Sequence, residues 1–89
     1  MPLLIIRHKV KDFTAWKVAY DKHASVRAAN GLPSGRVARG ADDPSQVVMI
    51  FDIKDIDKAK TFCASDELKN AMQGAGVVDK PDLYFLNDA

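Results

Sequence analysis

Val47-Val48-Met49-Ile50-Phe51 is the run whose reading decides the fold, and two shorter ones, Leu3-Leu4-Ile5-Ile6 and Leu83-Tyr84-Phe85-Leu86, repeat its character. Each is apolar on consecutive residues. Successive side chains of a strand point to opposite faces, so a sheet with one wet face shows alternation, and an unbroken apolar run reads as a strand covered on both faces. The rest of the chain supplies only two helical patterns, enough to cover one face of a small sheet. The second cover must come from outside the chain, and a second copy of it, forming a homodimer, is the expected one.

The 89 residues read as a single domain, 1–89. A chain of that size buries only about 60 to 65% of its unfolded surface alone, so dimerisation adds core where core is scarce. Thirteen Lys and Arg against twelve Asp and Glu leave a net charge of +1 spread along the chain, which predicts no nucleic acid and no membrane as partner. The single cysteine, Cys63, excludes an intrachain disulfide, and the apolar start, interrupted at Arg7, is too short for a signal-peptide core or a membrane span. A cytoplasmic, reducing location is expected. Cys63 stands near Phe62 with only Lys60 as a basic neighbour, which reads as a buried small hydrophobe and not as a thiolate.

Outward from the three runs, Leu3 to Val10 is the first strand. Asp12 then offers a carboxylate as N-cap, and Phe13, Trp16, Tyr20, His23 and Arg27 recur at spacings of 3, 4, 3 and 4, one face of one helix. Gly31 and Pro33 stop it. Ser34 to Ala41, with two glycines and two arginines, suits an edge strand, Asp42-Asp43-Pro44-Ser45 a turn, and Gln46 to Ile53 a central strand. Asp55 caps a helix with Ile56, Ala59, Phe62 and Cys63 on one face; Ser65, followed by Asp66 and Glu67, restarts it with Leu68, Ala71, Met72 and Ala75 in line. Gly74 and Gly76 end it before the last strand. The order βαββαβ with right-handed crossovers gives an α+β, ferredoxin-like four-stranded antiparallel sheet, strand order 4-1-3-2, whose two most apolar strands are central.

Families of this topology differ in the residues they need. An RNA-recognition motif stacks bases on aromatics of its central strands, where this chain offers only Phe51. A metal-transport domain needs a cysteine pair after the first strand, and the chain has one cysteine in all. An amino-acid-binding regulatory domain is compatible but normally travels attached to an enzyme. Three segments carry a fuller resemblance: Asp12-Phe13-x-x-Trp16-Lys17-x-x-Tyr20-Asp21, Asp43-Pro44, and Ala59-x-x-Phe62-x-x-Ser65-x-Glu67-Leu68-x-x-Ala71-Met72-x-x-Ala75-Gly76-Val77. On these the chain resembles the dimeric α+β barrel superfamily, which includes antibiotic-biosynthesis monooxygenase-like proteins and proteins called cyclases. The resemblance implies two sheets packed face to face across a dimer axis and a small cavity between each sheet and its helices. It also implies chemistry without a cofactor. The superfamily's oxygenases and haem degraders use an asparagine on the first strand, a tryptophan in the second half and often a histidine on the second helical segment. This chain has none of the three: its tryptophan is Trp16, and its histidines are His8 and His23.

The candidate site is therefore local. Tyr20, His23 and Arg27 place a phenol, an imidazole and a guanidinium within two helical turns, and they are the candidate catalytic residues: His23 as general base, Tyr20 and Arg27 binding the oxygens of a small aromatic or polyketide-like ligand. Trp16, Phe13 and His8 are the candidate ligand contacts, His8 because it shares a strand face with Leu4 and Ile6. In a cofactor-free oxygenation the base would free an electron-rich anion to react with oxygen while Arg27 balances its charge. The plainer alternative is a packed core: Trp16 and Phe13 filling it, Tyr20 bonded to backbone, His23 and His8 half-buried or satisfied, and Arg27 reaching solvent beside the helix end. That would make the chain a non-catalytic dimer that binds a ligand or protein. No metal is expected, because Asp42-Asp43 and Asp55/Asp57 stand where turns and caps explain them.

Overall fold

The computed structural model describes residues 2–89. Its elements are β1 (Leu3–Lys9), α1 (Phe13–Lys22), α2 (Ala24–Ala29), β2 (Ser34–Arg39), β3 (Gln46–Asp52), α3 (Ile56–Cys63), α4 (Asp66–Gly74) and β4 (Asp82–Leu86). The caps are the ones the sequence offers. Asp12, Asp55 and Ser65 sit in extended backbone, and their side-chain oxygens accept from the N–H groups of Ala15, Lys58 and Leu68. Gly31, at φ +86, closes the first helical layer in the left-handed region, where a Cβ would also collide with the Asp55 carbonyl. The Asp43 carboxylate accepts from the backbone and hydroxyl of Ser45, fixing the turn before β3.

The first helix departs from expectation. One continuous helix through Arg27 is predicted, but it breaks at His23, whose φ of −91 and ψ of 7 end α1 and start α2. The His23 N–H reaches back three residues to the Tyr20 carbonyl at 3.2 Å, a tightened last turn, and Arg27 Nη1 donates to the same oxygen at 2.7 Å. One side chain thus satisfies the carbonyl that the break exposes.

The sheet is antiparallel in the order β2-β3-β1-β4, the expected arrangement read from its other edge. Its register pairs Leu4 with Phe51 and Phe85, Ile6 with Met49 and Leu83, and His8 with Val47. These residues form the face that the helices cover. Leu4, Val47, Phe51 and Ile53 join Trp16, Ala59 and Phe62 in one core, which α1 and α3 close because each turns its apolar stripe inward.

The opposite face carries Leu3, Ile5, Val48 and Ile50, half-buried by their neighbours, and Tyr84 and Leu86, exposed to 54% and 41%. Among the described residues no helix lies over it. β1 and β3 therefore alternate buried and half-buried positions, and the consecutive apolar runs are two faces of different fate. At the rim of this face Arg7 Nε donates to Asp82 at 2.8 Å, and Arg7 Nη2 to Asp79 at 3.3 Å. Asp79 also accepts the Lys9 N–H at 2.7 Å; that bond, more than the Arg7 charge, holds its carboxyl below the ordinary range.

Candidate functional site

Helical spacing puts Phe13, Trp16 and Tyr20 on the inner side of α1, and the strand period puts His8 beneath them on β1. Their rings form a connected series. His8 meets Trp16 edge-on at 5.5 Å between centroids and 70° between planes, and Trp16 stacks on Tyr20 at 5.0 Å and 26°. Phe13 lies against Trp16 at 5.7 Å. The break at His23 brings Arg27 round to cover the far side of Tyr20, its guanidinium carbon 3.7 Å from the ring centroid. The series runs from an imidazole at one end to a guanidinium at the other.

This series lines a cavity of about 70 Å³ between the sheet and the helices. Met49 and Phe51 form its floor and Phe62, Leu68 and Met72 its far wall. Of the six candidates named from sequence, His8, Trp16, Tyr20, His23 and Arg27 all reach this cavity; Phe13 stands behind Trp16, with the Arg39 guanidinium 4.1 Å over its ring. Cys63 and Leu32 also line the cavity and were not singled out for it. Their signal in the sequence, apolar residues near helix ends, is the same one that marks ordinary core.

The polar groups differ in how they are held. His8 is fully buried, at 0% exposure, and neither ring nitrogen has a hydrogen-bond partner among the described residues. Burial pushes its imidazole below the ordinary 6.5, outweighing the opposing pull of the Asp79 charge, so the ring is neutral at pH 7. Arg27 is half-buried, and burial lowers its pKa too, from a value so high that it stays charged. His23 is half-buried at the junction of α1 and α2. Burial raises the Cys63 thiol to about 11, which leaves it a protonated, weakly polar wall.

Such an arrangement can hold a flat ring against Trp16 and Tyr20, exchange a proton at His8 and balance an anion at Arg27. Among the described residues no three His, Cys, Asp or Glu side chains gather as metal ligands, and no helix is long and apolar enough to cross a membrane.

No family model matches the sequence, and no curated protein matches it. Its fold does have solved counterparts. One is an antibiotic biosynthesis monooxygenase, 14% identical, superposing with a TM-score of 0.72 over 100% of this chain and 99% of that one. Another is SnoaB, a cofactor-independent oxygenase from Streptomyces nogalater, 15% identical, with a TM-score of 0.71 over 99% and 94%. A conserved protein from Methanosarcina mazei Go1 is 12% identical, with a TM-score of 0.74 over 99% and 92%.

Proposed function

The chain has the ferredoxin-like fold of the antibiotic biosynthesis monooxygenases, and we propose that it is a cofactor-independent oxygenase of small aromatic compounds, a single domain over residues 1–89 that works as a cytoplasmic homodimer. The observation that carries the reading is His8. Leaving a buried polar group without a partner costs about 1–3 kcal/mol, a penalty that a leucine at the same position would avoid. A residue held at such a cost, with its nitrogens unpartnered among the described residues and a cavity in front of it, fits one kept for what it contacts.

In this reading the neutral His8 imidazole accepts the proton of a phenol seated against Trp16. Tyr20 and His23 complete the polar lining, and Arg27, on the far side of Tyr20, adds a positive charge that acts on the phenolate at longer range, little screened in a site of low polarity. The electron-rich ring carbon para to the oxygen then bonds to dioxygen, and the peroxide loses water to leave a carbonyl. For 1-naphthol the balance is one naphthol and one O₂ giving one 1,4-naphthoquinone and one H₂O; oxygen is reduced, the ring is oxidised, and the proton held by His8 leaves in the water.

A second copy is the proposed cover for the open sheet face. Ile5 and Ile50 form its centre, with Leu3, Val48, Tyr84 and Leu86 around them, and an obligate interface there would bury about 2,000 Å² or more.

Trp16 is the only tryptophan, so its fluorescence reports on cavity occupancy. Phenol titrated into wild type should quench it, and His8→Leu should weaken binding at least tenfold while the protein stays folded. Oxygen uptake with 1-naphthol should fall in parallel. Equal phenol binding by His8→Leu would overturn the site. Binding that needs His8 but yields no oxygen uptake would leave the alternative, a ligand-binding dimer without catalysis.

A further inference from the structure

The cavity in front of His8 is small: about 70 Å³, against the roughly 300–1,000 Å³ of a typical small-molecule site. Behind its far wall lies a groove of about 500 Å³ between α4 and the segment leading into β4, reaching Val78, Lys80 and Pro81. Cys63, Leu68 and Met72 line both spaces. The wall is thus one side chain thick; Cys63 closes it from the end of α3, and Leu68 and Met72 belong to α4. α4 contains no fully buried residue, although its N-cap Ser65 and the left-handed Gly76 behind it, at φ +88, fix its two ends. Met72 has an unbranched, freely rotating side chain, the kind that repacks at small cost.

We propose that Leu68 and Met72 are specificity-determining residues: they form a partition whose displacement joins the inner cavity to the groove, so that compounds larger than one ring are accommodated through it. The inference rests on the site reading above and extends it to ligand size. With the partition closed, a single ring is the most that the space before His8 would take, and only with small shifts of its walls. A second ring requires Leu68 and Met72 to swing aside, and the volume then available falls within the range of small-molecule sites. The charges at the groove balance, Lys69 and Lys80 against Asp66 and Asp79, so its apolar lining decides what it takes. The extended ligand is therefore a fused-ring aromatic with its ionisable hydroxyl inside and its remaining rings toward α4.

Phenol and 1-naphthol separate the two parts of the argument, with Trp16 fluorescence as readout and thermal unfolding to verify folding. Met72→Ala and Leu68→Ala should tighten 1-naphthol at least fivefold relative to phenol, and Met72→Phe should weaken it at least tenfold relative to phenol. Both residues are only half-buried, so at least one variant of each kind is expected to fold. If phenol binds in a His8-dependent way but the naphthol-to-phenol ratio is unchanged by all three substitutions, the partition is refuted and the inner site stands. If neither compound binds in a manner that His8→Leu abolishes, the site itself falls and the partition with it.

Discussion

Acidification should destabilise this protein through His8, and the size of the effect follows from its burial. The unfolded chain takes up a proton on this imidazole near pH 6.5, whereas the folded chain, in which burial lowers the pKa, does not until the pH is lower. The unfolded state therefore binds more protons in that window, and stability rises with pH across it. The contribution is complete above about 6.5 and is lost as pH falls from there toward the folded value. The upper limit of the loss between pH 7.5 and 5.5, set by an imidazole that stays neutral in the fold, is about 1.4 kcal/mol, tenfold in the folding equilibrium. A urea dependence of about 1 kcal/mol per molar converts this to a midpoint shift of about 1 M. Unfolding followed by Trp16 fluorescence at pH 7.5, 6.5 and 5.5, at one chain concentration, would measure it in wild type and in His8→Leu. Subtracting the two removes every other titrating group. At pH 7.5 the variant should also equal or exceed wild type, by about 1 kcal/mol, because two unpaired nitrogens have been replaced by methyl groups. Identical pH slopes in the two proteins would refute the reasoning.

Two further substitutions probe the frame around the site. Trp16→Ala should cost about 3 to 5 kcal/mol in denaturant unfolding, since the indole is 3% exposed and touches His8, Phe13 and Tyr20; a loss below about 1 kcal/mol would mean that the inner face of α1 is wrongly assigned. Ile5→Lys, at the centre of the open sheet face, should convert a species of twice the chain mass in light scattering to monomer; a wild type that already scatters as a monomer would remove the second copy from the proposal.

Much of the scaffold could be read from the chain. Asp12, Asp55 and Ser65 announced three helix starts, and the two most apolar strands, β1 and β3, lie at the centre of the sheet, because caps and burial are set by a residue and its near neighbours. The break at His23 could not be read. The apolar positions fall at the same spacings whether or not the backbone tightens for one residue, and no glycine or proline marks the place. It is accompanied by a contact between side chain and carbonyl, from Arg27 to Tyr20, seven residues apart, which no local pattern contains. The grouping of Trp16, Tyr20, His23 and Arg27 was legible because all four lie on one short stretch. Its completion by Leu68 and Met72 was not, since their spacing marks an inward helical face without saying how full the space behind it is. His8 is placed on the correct face by the strand period, but that its nitrogens meet no partner among the described residues depends on everything packed around it.

The position of β1 has a consequence for synthesis. β1, made before the other strands of its sheet, is a central one, paired on one side with β3 and on the other with β4, and its Arg7 is bonded to Asp82, 75 residues further along. On a ribosome β1 can find its first neighbour only after β3 has emerged, and its second only after β4 has. Until then one edge of a strongly apolar strand stands open, the state in which nascent chains pair wrongly with one another. Folding that must close such distant contacts last is slow for its size. The Arg7 and Lys9 charges on β1 itself are what opposes such pairing during that interval.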